Sequence, residues 1–331
     1  YKKIMRIKAG IIGLGIGEKH FEAIENYKSS EVSILCDIDK KKIKQLKKKF
    51  PNKVITSNPD IIFKDKNINL VSIASYDNFH FNHIIKALNF NKHVIVEKPM
   101  CLNIIELKKI IKKLKEKRKL KIISNLPLRT VSLFDNIKKK INPNKIFYIE
   151  ADYIWGRLNK LFQWRSKISN YSLTLGAGIH VIDLIMWLLN SRPISVSSLG
   201  NNILTSQSNF NKKSFIINVF KFPKNIIVKI TSNATNSYPH IHELKIFEKK
   251  KTIINNLKGS FVINEKKSIK KIKGSYPDKK SRKKLIQSFI DHILSNKKPL
   301  INFNEQKNLM SVCFAADKSL KDKKETKIIY Y

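Results

Sequence analysis

The chain has 331 residues, 42% of them hydrophobic, which is enough for two domains with sizeable cores, and no apolar run reaches the roughly 18 residues of a membrane span. Three widely spaced cysteines exclude a disulfide framework and a Cys-x-x-Cys metal site, and they favour a reducing cytoplasm. The formal net charge is +41, but only seven of the 66 basic residues are arginine, which fits an AT-biased, lysine-rich coding sequence better than a dedicated nucleic-acid binder.

The first part of the chain alternates strand and helix patterns. Strands are predicted at residues 8–14, 31–36, 54–55, 69–74, 93–96 and 121–124, and helices at 21–27, 40–50, 81–89 and 104–117. In the last of these helices, Leu107, Ile110, Ile111 and Leu114 recur at helical spacing with lysines opposite. Such alternation predicts an α/β fold with a parallel sheet and helices on both faces.

The pattern changes after about residue 127. Strands are predicted at 145–155, 195–199, 214–222, 226–232, 243–247, 252–256 and 260–264, and helices at 177–189, 279–295 and 304–321, followed by a last short strand. Strands separated by polar turns, with few helices, predict an α+β domain with a large, mostly antiparallel, open sheet.

The first predicted strand ends in a glycine turn that contains Gly13, Gly15, Ile16 and Gly17. Glycine permits positive φ, and its missing Cβ lets a pyrophosphate approach the backbone at the N-terminus of the next helix. The third glycine comes one residue earlier than in G-x-G-x-x-G. A glycine turn by itself is also compatible with simple closure of a βα loop.

An acidic residue makes the motif more specific. Asp37 ends the second predicted strand, 22 residues after Gly15, where a carboxylate accepts hydrogen bonds from the ribose hydroxyls of a dinucleotide. Its charge opposes a 2′-phosphate, so NAD is the predicted cofactor. The neighbouring lysines 40–42 keep NADP open.

Three further segments resemble the Gfo/Idh/MocA family, the glucose–fructose oxidoreductase and inositol dehydrogenase group. They are ASYDNFH at 74–80, VIVEKP at 94–99 and GIHVIDL at 178–184. The resemblance covers nearly the whole chain and adds Ser75, His80, Glu97 and Lys98 to the candidate cofactor-binding residues. It implies a nicotinamide between two domains and the oxidation or reduction of a sugar or polyol.

The resemblance also implies the domain organisation. Residues 1–126 would form a Rossmann dinucleotide-binding domain, and residues 127–331 a substrate-binding and oligomerisation domain whose last helix packs back on the first domain. The open sheet would pack on a partner subunit, giving a homodimer or homotetramer.

Two positions depart from the family pattern. Many members carry an aspartate four residues before the histidine of the long helix, paired with it in proton transfer, and here that place is Gly176. The asparagine that often follows the fourth strand corresponds to Asp77. Gly176 removes the usual acid partner of the histidine, and Asp77 would alter contacts with the cofactor.

Lys98 follows the fifth predicted strand, at the end where ligands of open α/β sheets bind. Most lysines in this chain are solvated surface residues, but Pro99 restricts the chain next to Lys98, and the resemblance suggests a cis bond there. We expect Lys98 to bind the reacting hydroxyl and stabilise its alkoxide character.

His180, Asp183 and Trp187 recur at i, i+3 and i+7 and share one face of the long predicted helix. A histidine on a mainly apolar helix is compatible with a core position or with a general base that takes the hydroxyl proton near neutral pH. The small residues 176–178 would let the start of the helix approach a ligand. Asp183 would orient His180 or bind a substrate hydroxyl.

Arg129, which follows the sixth strand, is a further candidate substrate ligand. Weaker candidates, each compatible with a structural or surface role, are Tyr153, Trp164 with Arg165, and His240 with His242. The two histidines have no third ligand at a recognisable spacing, so we predict no metal site.

The leading hypothesis is an NAD(P)-dependent oxidoreductase acting on a secondary alcohol of a sugar, nucleotide sugar or polyol. The alternatives are a catalytically silent family member, motivated by Gly176, and an NAD-binding regulator of nucleic acid, which only the charge supports. A polar site predicts a polyhydroxylated ring as substrate, and the positive field favours an anionic one. No specific nucleic-acid or membrane partner is predicted.

Overall fold

The computed structural model describes residues 6–278 and 280–331, which form two β-sheets with helices between their strands. The first part of the chain consists of β1 (Ile7–Ile12), α1 (Gly17–Glu25), β2 (Ser30–Cys36), α2 (Lys40–Lys49), β3 (Val54–Thr56), α3 (Asp60–Lys64), β4 (Leu70–Ile73), α4 (His80–Asn89), β5 (His93–Val96), α5 (Ile104–Glu116) and β6 (Ile122–Ser124).

The remaining elements are the strands of the second sheet and the helices that follow β6. They are α6 (Ser132–Lys140), β7 (Ile146–Ile154), α7 (Ile179–Leu189), β8 (Ser195–Asn201), β9 (Phe215–Lys221), β10 (Ile227–Asn233), β11 (Ile241–Glu248), β12 (Lys251–Asn256), β13 (Gly259–Asn264), β14 (Ile269–Lys271), α8 (Ser281–Ser295), α9 (Phe303–Asp322) and β15 (Thr326–Lys327).

In its described part, the chain divides into two compact units, which do not follow a single cut along the sequence. The first contains residues 6–130 and 280–306, and the second contains residues 131–278 and 307–331. In the first unit, α8 is joined to α1 by a hydrogen bond of 2.5 Å from the Tyr27 hydroxyl to Asp291. The start of α9 is bound to the end of β6, where Gln306 accepts a hydrogen bond from the Ser124 amide.

The first sheet has the strand order β3-β2-β1-β4-β5-β6, and every neighbouring pair is parallel. Helices cover both faces of such a sheet, so its strands become continuous apolar runs; all four residues of β4 are buried. The predicted α/β architecture with a parallel sheet is confirmed. The strand order reverses direction between β1 and β4, and ligands of doubly wound sheets bind beyond the carboxyl ends of the strands at such a point.

The second sheet has the order β14-β13-β12-β11-β7-β10-β9-β8-β15. The β7–β10 pair is parallel and the other neighbours that pair are antiparallel, which confirms the predicted, largely antiparallel sheet. Buried and less buried residues alternate along β7 and β9. Cross-strand partners share a face, so Ser232 of β10, Tyr153 of β7 and His242 of β11 lie in one row on the buried face.

Several boundaries differ from the sequence-based prediction. Helix α1 begins at Gly17, four residues before the predicted start, because the glycine turn leads directly into it. The long helix begins at Ile179, since residues Thr174–Gly178 form a π-helical turn before it. The short elements α3, α6 and β14 were missed; α3 has five residues, too few for a clear period. The predicted helix start at residue 279 lies outside the described residues.

Of the helices in residues 6–278 and 280–331, none is long and apolar enough to cross a membrane.

Candidate active site

The glycine turn after β1 has the geometry of a phosphate cradle. Gly13 has φ +86°, donates its N–H to the Cys36 carbonyl at 2.8 Å, and would bring a Cβ against the carbonyl of Ala74. A Cβ added at Gly15 would meet open space. No side chain caps the N-terminus of α1, so its N–H groups remain available to an anion. These features fit the pyrophosphate of a dinucleotide.

Asp37 lies beside the same turn. Its Oδ2 accepts a hydrogen bond of 2.6 Å from the Leu14 amide, and its Oδ1 accepts one from the Asp39 amide. The ammonium group of Lys42 contacts the Leu14 carbonyl and pairs with Glu18 at 3.0 Å. A carboxylate therefore stands at the rim of the cradle, where the ribose of a bound dinucleotide is expected, and the nearest lysine is already paired.

We expect tighter binding of NAD⁺ than of NADP⁺, and a smaller preference in Asp37→Asn. Asparagine keeps an oxygen for the Leu14 amide but removes the charge that repels a 2′-phosphate. The ratio of the two dissociation constants, measured by titration, should fall by about tenfold. Asp39→Asn is the matched control, since Asp39 caps α2 through the amides of Lys41 and Lys42. Tighter NADP⁺ binding by the wild type would contradict the assignment and point to lysines 40–42.

The turn after β5 rests on a buried carboxylate. Glu97 accepts hydrogen bonds from His20 at 3.0 Å and from Asn125 at 2.6 Å, and Arg282 lies 3.8 Å away. Burial alone would raise the pKa of Glu97, but His20, Arg282 and Asn125 hold it well below its usual range. Its second oxygen faces the Lys98 amide at 3.3 Å. Glu97 therefore anchors the turn, and both its oxygens are engaged within the protein.

Lys98 itself is half-buried, and its peptide bond to Pro99 is cis. The fully buried ring of His80 lies below the turn, with Nδ1 2.7 Å from the Pro99 carbonyl and Nε2 3.0 Å from the Ser75 carbonyl. His80 thus ties the segment after β4 to the segment after β5. Ser75 places its hydroxyl 3.1 Å from Nδ1 of His83. The backbone that carries Lys98 is consequently anchored at the carboxyl edge of the parallel sheet.

Arg129 is buried, and its Nη1 donates a hydrogen bond of 2.6 Å to Glu305 at the start of α9. Part of its guanidinium group is therefore committed to this ion pair. The role of Arg129 as a substrate ligand stays a prediction.

In the second unit, the start of α7 lies close to the sheet. A Cβ at Gly178 would come within 2.6 Å of the Ser232 hydroxyl, so only glycine fits this approach. Two residues later, His180 keeps partial exposure and meets the Tyr153 ring edge-on, with ring centroids 6.1 Å apart. The small residues that the sequence places before His180 thus bring the helix onto the row formed by Ser232, Tyr153 and His242.

Two histidines lie around Tyr153 on this face: His240, just before β11, and His242 within it. His242 stacks on Tyr153 at 4.5 Å, and the Tyr153 hydroxyl lies 3.1 Å from Nε2 of His240. The Tyr276 hydroxyl accepts the His242 amide N–H at 2.8 Å and lies 2.5 Å from Nδ1 of His242. Burial, followed by the charges of His180 and His240, lowers the pKa of His242 well below its usual value.

The space beside Gly176 is filled by Tyr171. A Cβ on Gly176 would collide with the hydroxyl oxygen of Tyr171 and would lie only 2.5 Å from the Tyr171 Cζ atom. The Tyr171 ring is buried and makes edge contacts with Trp164 at 6.5 Å and Phe210 at 5.7 Å, so it has little room to move. The departure at position 176 is therefore coupled to a large residue that the sequence-based reasoning missed.

Gly176→Asp should not restore a family-type acid but should destabilise the fold. The new side chain has to displace the Tyr171 ring, and overpacking of this kind costs about 1–3 kcal/mol. Tyr171→Ala opens the space, so the double variant should lose less stability than the sum of the single variants. Urea unfolding of all four proteins gives this coupling energy. Strictly additive losses would show that the two residues do not compete for the space.

Asp183 is buried on the interior side of α7, with 1% of its surface exposed. Burial, followed by the charges of Asp317 and Asp183, raises the pKa of the Cys313 thiol on α9, which places the three groups near each other. Burial also raises the pKa of Asp317 to about 6, although Ser172 donates a hydrogen bond of 2.7 Å to it. Asp183 is thus more enclosed than His180, and its contact with substrate stays a prediction.

Within residues 6–278 and 280–331, no group of three or more histidine, cysteine, aspartate or glutamate side chains could hold a metal ion. The groups that the sequence-based reasoning missed, besides Tyr171, are the partners of Glu97. Asn125 borders an apolar run, but His20 follows two charged residues and Arg282 lies among basic ones, so the sequence gives no common signal for them.

Comparison with known proteins assigns both units. The family model described as "Oxidoreductase family, NAD-binding Rossmann fold" matches residues 7–125, and the one described as "Oxidoreductase family, C-terminal alpha/beta domain" matches residues 138–312. Both are models of the Gfo/Idh/MocA family, which confirms the resemblance drawn from the motifs.

The chain is 29% identical to glucose-6-phosphate 3-dehydrogenase of Bacillus subtilis over 60% of this chain and 59% of that enzyme, so the match spans less than two thirds of its length. It is 20% identical to myo-inositol 2-dehydrogenase of Thermotoga maritima over 97% of this chain and 98% of that enzyme. A similar fold occurs in scyllo-inositol dehydrogenase of Lactobacillus casei, solved with NAD(H) and scyllo-inositol, with a TM-score of 0.81, 19% identity and coverage of 97% and 99%. The chain therefore belongs to the Gfo/Idh/MocA family of oxidoreductases, whose first domain is an NAD-binding Rossmann fold.

Proposed function

We propose that this protein transfers hydride between a nicotinamide cofactor and a secondary alcohol, or the corresponding ketone, of a sugar, nucleotide sugar or polyol. The relatives named as inositol and glucose-6-phosphate dehydrogenases support this class of substrate. We further propose the functional division inferred from the sequence, with residues 1–126 binding the dinucleotide and residues 127–331 binding the substrate.

The observation that carries the proposal is the anchored turn at Lys98. The buried Glu97 carboxylate, bonded to His20 and Asn125, holds this turn beyond β5, beside the strand β4 at which the sheet order reverses. A solvated surface lysine needs no such support. A lysine on an anchored turn at the carboxyl edge of a parallel sheet suits an oxygen that gains negative charge during reaction.

Each candidate residue has a proposed task. Gly13, Gly15, Ile16 and Gly17 hold the pyrophosphate, and Asp37 the ribose, while Ser75, His80, Glu97 and Lys98 shape the nicotinamide end. When bound, the nicotinamide supplies the hydride acceptor or donor. Lys98 donates a hydrogen bond to the reacting oxygen, and His180 takes the hydroxyl proton. Asp183 and Arg129 remain candidate substrate ligands.

The second unit supports a polyhydroxylated substrate. His180, His240 and the Tyr153 hydroxyl lie together on the buried side of the sheet, and His180 and His240 are accessible to solvent. A simple aliphatic alcohol would leave such groups desolvated and without partners, at about 1–3 kcal/mol each. A sugar ring offers hydroxyls on successive carbons that can bond to them.

We propose that a second copy of the chain covers the opposite face of this sheet, as the family resemblance implies. Leu199, Ile217 and Val219 stand on that face, and 71% of the Leu199 surface is exposed. We also propose a cytoplasmic location, which the three buried, unpaired cysteines of the described residues support. The scarcity of arginine argues against a specific nucleic-acid partner.

The test is a screen of neutral sugars, inositols, sugar acids, sugar phosphates and nucleotide sugars with NAD⁺ or NADP⁺, read by the absorbance of the reduced cofactor. We expect turnover of at least one polyhydroxylated ring and none of small aliphatic alcohols. Turnover of aliphatic alcohols alone would overturn the substrate class. Tight cofactor binding without turnover of any compound would favour the silent family member that Gly176 suggests.

A further inference from the structure

The segment between β7 and the π-helical turn carries a cluster of three positive side chains, Arg157, Lys160 and Arg165, which we call the cationic cluster. The Arg165 guanidinium packs over two tryptophan rings, 4.1 Å from the centroid of Trp164 and 5.3 Å from that of Trp155. Its Nη1 also donates to the Lys160 carbonyl at 3.4 Å. Arg165 is thus held in place at the centre of the cluster, while Arg157 and Lys160 are exposed.

The cationic cluster lacks a carboxylate partner. In the part of the chain that the structure describes, no aspartate or glutamate forms an ion pair with any of its three members, although many other basic residues are paired. Burial, followed by the charges of Arg157 and Arg165, lowers the pKa of Lys160. The three cations therefore repel one another, and a bound anion would relieve that repulsion.

Genome bias does not account for this cluster. The excess charge of the chain consists of lysine, and only seven of its 66 basic residues are arginine, but two of the three members here are arginine. The planar guanidinium fork matches the oxygens of phosphate and carboxylate groups in a bidentate manner.

The backbone around the cluster is pinned, so the cations are pre-organised. Gly156 has φ +61°, and a Cβ there would meet the Tyr238 carbonyl at 2.6 Å. The Leu158 amide donates to Asn236 at 2.5 Å, and the Phe162 carbonyl accepts from Asn209 at 2.9 Å. A binding group held in advance loses little entropy when a ligand arrives.

The cluster also lies beside the polar groups of the second unit. Burial lowers the pKa of His240, and the nearby charges of Arg157 and Lys160 lower it further. The His240 ring is bonded to the Tyr153 hydroxyl, and the Tyr153 ring contacts His180. The cationic cluster therefore acts electrostatically on the group of rings that includes the proposed proton acceptor.

We propose that the cationic cluster binds an anionic substituent, a phosphate monoester or a carboxylate, on the sugar-like substrate. This inference rests on the proposed function for the identity of the ring, but the anion site stands on the cluster itself. The guanidinium groups of Arg157 and Arg165 donate hydrogen bonds to the anion, and the positive charge of Lys160 adds to the attraction. The hydroxyls of the same molecule then face Tyr153, His240 and His180.

Binding can be tested without turnover. Two of the three tryptophans flank Arg165, so the intrinsic fluorescence of the NAD⁺-saturated protein should change when the anion binds. At about 0.15 M salt, where long-range attraction is screened, glucose 6-phosphate or glucuronate should bind at least tenfold more tightly than glucose. Which of these two ligands binds more tightly tells whether the site prefers a phosphate or a carboxylate. Equal affinity for glucose and both anions would overturn the proposal.

Arg157→Gln should weaken binding of the preferred anion by about 10- to 100-fold, the usual loss of a charge-assisted hydrogen bond, without changing NAD⁺ affinity. Arg157 is exposed, so this variant should fold. Arg165→Lys, which keeps the charge but loses the fork, should also weaken binding. Arg192→Gln is the matched control, because Arg192 stacks on Tyr330 at 4.7 Å and has no role here. If both Arg157→Gln and Arg192→Gln lose the same affinity for the anion, binding depends on the overall charge of the protein and not on this cluster.

Kinetics separate this inference from the proposed function. If an anionic sugar is oxidised, Arg157→Gln should raise the KM for that sugar much more than the KM for neutral rings. If no sugar is turned over but the anion still binds through Arg157, the proposed function fails and the site remains. If sugars are turned over with no anion preference, the site fails and the function remains.

Discussion

Lys98→Ala is expected to lower kcat by at least about 10²–10³-fold, the loss seen when one donor to a developing oxyanion is removed, while NAD⁺ binding survives. The ammonium group acts on the reacting oxygen and contributes little to the dinucleotide, whose phosphates are held by backbone N–H groups of the glycine turn. The turn itself should persist, because Glu97 and His80 hold it through groups other than the lysine side chain. Steady-state kinetics and cofactor titration measure the two effects separately.

The matched control for Lys98 is Lys119→Ala, which removes an exposed lysine just beyond α5 in the same unit. It should leave both kcat and cofactor affinity unchanged. Wild-type kcat in Lys98→Ala would remove this residue from the mechanism. A loss of cofactor binding equal to the loss of turnover would assign Lys98 to the dinucleotide.

His180→Asn should reduce kcat by roughly 10²–10⁴-fold, the usual contribution of a positioned acid or base. Asparagine keeps a polar side chain of similar length but cannot accept and release the proton. The half-exposed ring of His180 at the edge of Tyr153 suits a group that meets substrate, and small residues bring its helix onto the sheet. The pH dependence of kcat/KM should also lose the limb that reports a group with a histidine-like pKa.

The matched control for His180 is His292→Asn, a helical histidine of the first unit whose Nδ1 bonds the Lys297 carbonyl. It should leave the pH profile unchanged. A loss below about tenfold in His180→Asn, together with lower stability, would favour the core-histidine interpretation. If His180→Asn keeps the acidic limb of the pH profile of kcat/KM, the proton is transferred by another group.

The sequence by itself determined the parallel sheet, the glycine cradle and the cation beyond β5. These features depend on local signals: continuous apolar runs, a glycine that must adopt positive φ, and polar residues at the ends of strands. Gly13 and Asp37 are close because the ends of two adjacent parallel strands meet at one edge, which the strand pattern already implies. The long helix of His180 was predicted from its apolar length, although its first turn is π-helical.

Only the tertiary structure decided which groups support these residues. The partners of Glu97 are His20 in α1, Asn125 just beyond β6 and Arg282 in α8. A periodic pattern of apolar residues cannot link positions so far apart in the chain. Periodicity predicts which face of an element is buried, but not which partner lies on that face.

The same limit applies to the second unit. The fit of Tyr171 against Gly176 depends on how a loop folds over a helix start, because a glycine and a tyrosine five residues apart have many other possible arrangements. The cationic cluster likewise depends on tertiary packing, because Arg165 contacts the ring of Trp155, ten residues earlier in the chain, as well as that of its neighbour Trp164. Sequence patterns therefore specified the scaffold and the reactive residues, whereas packing between distant segments decided their surroundings and, with them, the chemistry that each residue can perform.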